Sequence, residues 1–209
     1  SLLETLRWEP EAGYVFLAGH LDRLVSSADY FGFAVARPTV EAALHEAVIG
    51  RDEPQRVRML VRRNGDVDIT AVPLPMPFHA EDAASEDVVA YAIDDQPVAS
   101  QNVFLFHKTS RRGVYDERLK RHPQADDVLL VNERGEVTEF TTGNVAVRFD
   151  GIWVTPPIDA GVLGGVYRRD LLERGMLLER PIHRDDLDFA EAVAHLNSVR
   201  GWRPAECLA

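Results

Sequence analysis

Between Arg56 and Val72 the chain alternates with a period of two. Val57, Met59 and Val61 interleave with Arg56, Arg58 and Arg62, Asn64-Gly65 follows, and apolar positions resume from Val67 to Val72. That period puts successive side chains on opposite faces of a strand, and Asn-Gly is a strong short-range signal for a two-residue hairpin turn. A chain with this stretch builds an antiparallel sheet whose apolar face needs a cover. The cover lies upstream. Leu21, Leu24, Val25, Ala28 and Phe31 recur at helical spacing, so His20 to Tyr30 reads as an amphipathic helix. Pro38 suits the first turn of a second helix running to about Ile49. Before them, Ser1 to Trp8 reads as a strand, Glu11-Ala12-Gly13 as a turn and Tyr14 to Leu17 as its returning partner.

Pro73, Pro75 and Pro77 interrupt this pattern, Val88 to Ile93 resumes a strand, and Asp94 to Asn102 is the expected interdomain linker. The division is therefore a small α/β subdomain over 1–100 and a larger one over 101–209. In the second part Phe104-Leu105-Phe106 is a strand-like apolar run, followed by a helix from about Thr109 to Lys120. Strands are expected at Val128 to Asn132, Val137 to Thr141 and Val145 to Phe149, a helix at Val166 to Arg174, and a last strand at Val193 to Leu196. With no internal repeat or low-complexity tract, this reads as an α+β enzyme of two subdomains.

Composition narrows the function. A length of 209 residues with 45% hydrophobic content suffices for a real core. A formal charge of −11 argues against nucleic-acid binding, because phosphate backbones attract the opposite sign. Local basic clusters in an acidic chain point instead to a small anionic ligand. The single cysteine, Cys207, excludes an internal disulfide framework, fits a reducing compartment and reads as inert. No apolar run is long enough to span a bilayer, so a cytoplasmic protein with no membrane partner is expected. No metal-ligand pattern stands out.

The chemistry concentrates where Phe104-Leu105-Phe106 breaks into His107-Lys108-Thr109-Ser110-Arg111-Arg112. A lysine at the end of an apolar run loses hydration, and Arg111 and Arg112 disfavour its charged form further. Those conditions suit a Schiff-base lysine. The alternative is a solvated helix face, since Arg118, Lys120 and Arg121 follow.

Downstream motifs bear on that choice. His107-Lys108-Thr109, then Gly135-Glu136-Val137-Thr138-Glu139, Thr155-Pro156-Pro157, Leu163-Gly164-Gly165-Val166 and Asn197-Ser198-Val199-Arg200-Gly201 occur in an order that resembles the class IV aminotransferases. That family of pyridoxal phosphate enzymes includes branched-chain and D-amino-acid aminotransferases and 4-amino-4-deoxychorismate lyases. The resemblance runs from about Leu3 to the end. It is closest to the lyase branch, in Leu2-Leu3-Glu4-Thr5-Leu6, in His107 to Arg112 with Tyr115, and in Asn197 to Trp202. Lyase domains fused behind aminodeoxychorismate synthase are especially similar. Relatives usually carry another strand or two before this point, so the first sheet is expected to lack its first strand.

The resemblance implies a D-amino-acid-aminotransferase-like fold with pyridoxal 5'-phosphate between the subdomains. It gives Lys108 the covalent link to the cofactor and the proton transfers, and Glu139 the pyridine nitrogen. Arg23, the backbone N–H groups of Val166 and Tyr167, and the Ser198 hydroxyl would bind the phosphate. Arg23 sits on a helix whose apolar stripe fixes its direction, and a guanidinium fork suits a phosphate, with an ordinary exposed helix arginine as the alternative. Gly164 and Gly165 permit close backbone approach at a helix start. Asn144 keeps the family's asparagine, with turn or strand-end residue as the alternative. Tyr115 is a candidate for the cofactor's phenolic oxygen or for packing. Arg58, Arg111, Arg112 and Arg200 are candidates for a substrate carboxylate, with charged surface as the simpler reading. His107 is expected to be hydrogen-bonded and structural.

There are departures from the family pattern. Tyr167 stands where threonine or serine is common and Gly164 where proline is common, and Val145-Ala146 replaces a bulkier pair. The reaction implied is the lyase one, giving 4-aminobenzoate and pyruvate for folate synthesis. A transaminase of branched-chain or D-amino acids is the alternative, and a non-catalytic interaction domain with the same fold is a third reading. Relatives also imply a homodimer and an association with aminodeoxychorismate synthase.

Overall fold

The computed structural model describes residues 1–80 and 86–208. The chain divides into two compact units, Ser1–Pro77 with His107–Arg111, and Phe78–Phe106 with Arg112–Ala209.

The first unit holds strands β1 (Leu2–Glu9), β2 (Gly13–Tyr14), β3 (Gln55–Val61) and β4 (Val67–Pro73), and helices α1 (Leu17–Phe31) and α2 (Arg37–Ala47). The sheet order is β2-β1-β3-β4, antiparallel throughout. In register, Leu2 faces Val61, Glu4 faces Met59 and Leu6 faces Val57, so one sheet face carries the alternating apolar set. It packs with Leu21, Leu24 and Ala28 of α1 and Val40 and Leu44 of α2 in one core. Each buried leucine or valine of this core contributes about 1.5–3 kcal/mol.

Two expectations for this unit are corrected. The partner of β1 is only Gly13–Tyr14, because Phe16 takes a left-handed conformation (φ 56°) that turns the chain into α1 at Leu17. The hairpin falls at the expected place with a longer turn: Arg62 N–H donates to the Asp66 carbonyl at 2.9 Å and Gly65 N–H to the Arg62 carbonyl at 3.0 Å. The loop is therefore Arg63-Asn64-Gly65, with Gly65 at φ 91° in the position a three-residue hairpin reserves for a left-handed residue.

Residues 108–110 return to the β1 edge. Leu3 N–H donates to the Lys108 carbonyl at 2.9 Å, Ser110 N–H to the Ser1 carbonyl at 2.9 Å, and Leu2 bridges Thr109.

The second unit contains β5 (Val89–Ile93), β6 (Asp127–Val131), β7 (Val137–Phe140), β8 (Asn144–Phe149), β9 (Ile152–Thr155), β10 (Leu178–Glu179), β11 (Ala192–Asn197) and β12 (Gly201–Cys207). Their order is β10-β9-β8-β11-β12-β5-β6-β7, mixing parallel and antiparallel pairs. Helices α3 (Val103–Phe106), α4 (Gly113–Arg121) and α5 (Val166–Glu173) complete it. Because β5 pairs with both β6 and β12, residues 89–93 lie in this sheet, ahead of the division expected after residue 100. The run at 103–106 is a short helix instead of a strand: Asn102 Oδ1 accepts from Phe104 N–H at 3.1 Å, and Leu105 packs with Val98, Tyr115, Val128 and Leu130. The next helix starts at Gly113, four residues later than expected, since residues 108–110 are committed to β1. β12 follows the strand expected to be last.

Candidate functional site

In the first unit Lys108 is half-buried, and its backbone is held against β1. His107 anchors the same segment to α1. Its Nδ1 lies 3.0 Å from the Ser27 hydroxyl, its ring packs against Tyr30 and Phe31, and burial lowers its pKa. That is the structural role expected of it.

Arg23, on α1, is gripped by Glu4 of β1. Arg23 Nε donates to Oε1 at 2.8 Å and Nη2 to Oε2 at 2.6 Å, and His20 Nδ1 lies 2.7 Å from Oε2. Glu4 and His20 are 1% and 0% exposed. Burial pushes the Glu4 carboxyl up, but the Arg23 charge and the hydrogen bonds from His20 and Arg23 outweigh it and hold the pKa down to about 2. For His20, burial lowers the pKa, Glu4 opposes this, and the charges of Arg23 and Lys108 lower it further. Lys108 is therefore within electrostatic reach of this cluster. Arg58 is exposed and pairs in register with Thr5 and Thr70, between the buried Val57 and Met59. It lies on the opposite sheet face from Glu4. Arg111 is exposed.

In the second unit Glu139, on β7, is 3% exposed and set among donors. The Tyr115 hydroxyl donates to Oε1 at 2.7 Å, and Leu163 N–H (3.2 Å) and Asn144 Nδ2 (3.4 Å) reach Oε2. Tyr115 thus directs its proton to Glu139, and burial followed by the Glu139 charge raises its pKa. Asn144 also donates to the Leu163 carbonyl at 2.9 Å, tying β8 to the loop before α5. Val166 and Tyr167 open α5 after an extended Gly165, where the first-turn N–H groups of a helix have no partner within it. Both are buried, and the Tyr167 ring packs edge-on against Phe78. Ser198 sits in the turn between β11 and β12, which Asn197 Oδ1 shapes by accepting from Val199 N–H (3.0 Å) and Arg200 N–H (2.8 Å). Arg112 donates to the Thr141 carbonyl at 2.9 Å and lies over the Tyr115 ring, and Arg200 pairs with Asp87. Both arginines have protein partners of their own.

The sequence model described as Amino-transferase class IV matches residues 1–206. The chain belongs to this family. A Schizosaccharomyces pombe protein named "Putative aminodeoxychorismate lyase" is 32% identical over 209 residues, covering 96% of this chain and 86% of that one. A crystal structure from Mesorhizobium loti, of a "Putative amino-acid aminotransferase", superimposes with a TM-score of 0.90 at 38% identity, covering 99% of both chains. The PLP-bound form of a Mycobacterium tuberculosis "hypothetical aminotransferase" shares the fold with a TM-score of 0.80 at 20% identity, covering 99% of this chain and 80% of that one. As a member of the class IV aminotransferases the chain is a mixed α/β enzyme. Among the described residues no helix is long and apolar enough to cross a membrane.

The donor set fits the cofactor of a class IV enzyme. At Glu139 a carboxylate is buried and oriented by three donors. At the α5 start a Cβ on Gly165 would collide with Asn144 Oδ1, so that backbone stays bare and close to its neighbours. Sequence reasoning missed two groups. Glu4 and His20 are one, and the signal was a glutamate in step with Leu2 and Leu6 on the apolar face of β1. The other is Asp127 with His195, both buried. Asp127 accepts from the backbone N–H of Thr141 (3.0 Å) and Thr142 (3.1 Å), from both threonine hydroxyls, and from His195 Nε2 (3.1 Å). Arg203 Nη2 donates to His195 Nδ1 at 3.3 Å, which fixes a neutral ring with its proton on Nε2. This hub pins the short loop that joins Glu139 to Asn144.

Proposed function

We propose that the chain is a pyridoxal-phosphate-dependent 4-amino-4-deoxychorismate lyase, releasing 4-aminobenzoate and pyruvate. The observation that carries the reading is the 32% identity, across nearly the whole chain, to the S. pombe protein named "Putative aminodeoxychorismate lyase". Lys108 would hold the cofactor covalently, Glu139 would face its ring nitrogen, and Arg23, the Val166 and Tyr167 N–H groups and the Ser198 hydroxyl would take its phosphate. When bound, the cofactor supplies a carbonyl that condenses with amines and a ring that accepts electrons. Lys108 Nζ would be the base that takes the proton from the substrate carbon bearing nitrogen. Glu139 would keep a proton on the ring nitrogen, with Tyr115, Asn144 and the Leu163 N–H orienting its carboxylate. The neighbouring enolpyruvyl oxygen departs as the six-membered ring becomes aromatic, and Lys108 Nζ returns a proton to the methylene carbon to complete pyruvate. The same reading includes a cytoplasmic homodimer and an aminodeoxychorismate synthase that supplies the substrate.

A class IV transaminase is the second reading, supported by the 38% identity to the M. loti protein. The two differ in whether the leaving group or the cofactor keeps the electrons. A single-turnover reaction of cofactor-loaded protein with aminodeoxychorismate separates them. Return of the starting absorbance, with one equivalent each of aminobenzoate and pyruvate, is the lyase outcome. Accumulation of pyridoxamine phosphate without aminobenzoate would overturn it in favour of transamination.

A further inference from the structure

The Glu4–His20–Arg23 cluster needs a reason for its cost. Glu4 occupies a position on β1 between Leu2 and Leu6, on the face that forms the core of the first unit. A carboxylate there gives up its hydration, and glutamate is almost never fully buried without a partner. Core stability alone would be served by an apolar residue, because replacing a buried ion pair with packed hydrophobic groups is often neutral or stabilising. What the carboxylate does is geometric. It takes Nε and Nη2 of Arg23 together, the side-on fork that fixes a guanidinium plane in direction as well as position.

His20 completes the arrangement without competing for charge. A carboxylate only accepts, so the proton at the 2.7 Å contact sits on His20 Nδ1, and Nε2 is left as a bare acceptor. Nε2 is buried and has no hydrogen-bond partner among the described residues. Protonating it would place a third positive charge beside Arg23 and Lys108. A neutral imidazole thus steadies Oε2 while leaving Arg23 as the cation that Glu4 aims.

We infer that Glu4, steadied by His20, is a positioning residue that holds the Arg23 guanidinium in the orientation required by the cofactor's phosphate. The inference rests on the reading of the chain as a pyridoxal phosphate enzyme. It is confined to one functional group of the ligand, which makes it separable. Pyridoxal 5'-phosphate and pyridoxal share the ring and the carbonyl and differ in the phosphate alone.

The test measures equilibrium binding of both compounds, by absorbance, to cofactor-free wild-type protein and to Glu4→Gln, Glu4→Asp and Arg23→Gln. Glu4→Gln is expected to weaken pyridoxal phosphate by roughly 10–100-fold, as loss of an outer partner of a binding group typically does, and to leave pyridoxal within about 2-fold. Arg23→Gln should lose the same phosphate-dependent increment, and the double variant should lose little more, because both changes remove one interaction. Glu4→Asp keeps the charge but shortens the reach by one methylene, so it should also weaken the phosphate compound selectively. That variant decides the matter if Glu4→Gln fails to fold. Equal losses for both compounds would overturn the inference, since general damage to the fold does not read the phosphate. Tighter phosphate binding would overturn it as well, by showing that Glu4 screens Arg23. Wild-type protein that binds the two compounds equally would instead remove the cofactor reading beneath it, and the inference with it.

Discussion

At the residue scale, the chemistry visible in the sequence was that of residues carrying a local motif. Lys108 stands at an abrupt change from apolar to basic, and Glu139 closes a Gly-Glu-Val-Thr-Glu run. His20, Asp127 and His195 stand in no such run, and Glu4 lies in one, Leu2-Leu3-Glu4-Thr5-Leu6, that gives no sign of its partners. Each acquires meaning from a partner 16 or 68 positions away, which no window along the chain contains. Tyr115 belongs to both groups. Its place after Lys108 suggested a ligand, and the structure spends its hydroxyl proton on Glu139, 24 positions on. Tyr115→Phe should therefore leave a buried carboxylate one donor short. Hydrogen bonds to charged groups contribute about 1.5–3 kcal/mol, so the cofactor-free variant is expected to unfold at lower urea concentration by that amount with an unchanged slope. A loss below about 0.5 kcal/mol would mean the bond does not hold Glu139.

At the element scale, strands with clean alternation were legible and strands made by their neighbours were not. β3 and β4 alternate and fall where expected. β12 carries Arg203, Pro204 and Glu206, which argue against a strand, yet it lies between β11 and β5. Pro204 is tolerated because its pairing is with Ala194 of β11, while the ladder to β5 begins only at Ala205. The start of α5 allows a sharper test. A Cβ on Gly165 would overlap Asn144 Oδ1, and Asn144 has little freedom to yield, since its Nδ2 is tied to the Leu163 carbonyl and to Glu139. Gly164→Ala would meet nothing closer than Ile158 Cδ1 at 3.9 Å. Gly165→Ala is expected to cost about 1–3 kcal/mol by overpacking. Gly164→Ala should lie within about 1 kcal/mol of wild type and can be stabilising through the unfolded chain. Thermal unfolding of the two variants side by side checks this, and equal losses would contradict the packing argument.

At the scale of the whole molecule, the division into units depends on pairings between distant segments. Residues 107–111 belong with the first unit because they pair with β1, and β5 belongs with the second because it pairs with β6 and β12. Each unit also buries a carboxylate–histidine pair, Glu4 with His20 and Asp127 with His195. With His107, whose pKa burial also lowers, and the lowered carboxyls of Asp94, Glu133 and Glu136, these pairs shape how the protein responds to acid. Burial lowers the pKa of both paired histidines, their carboxylates oppose it, and a nearby arginine adds to it in each case. The unfolded chain therefore takes up protons, near the ordinary value of 6.5, that the folded chain refuses. Stability is full above that pH and declines below it, by up to about 1.4 kcal/mol per pH unit for each histidine. The carboxylates act later. Burial alone would raise their pKa values, but charge and hydrogen bonds win and lower them. Their contribution is intact above the unfolded values of 4.5 for Glu4 and 3.8 for Asp127, and is lost as pH falls, for Glu4 toward about 2. Urea unfolding of the cofactor-free protein across pH 8 to 3 should thus show a plateau, a first decline beginning near 6.5 with up to three protons taken up on unfolding, by His20, His107 and His195, and a steeper one below about 4.5. Stability that rises between pH 7 and 5 would mean that the histidines are charged in the fold. The neutral imidazole that leaves Arg23 as the cation beside Glu4 would then be lost too.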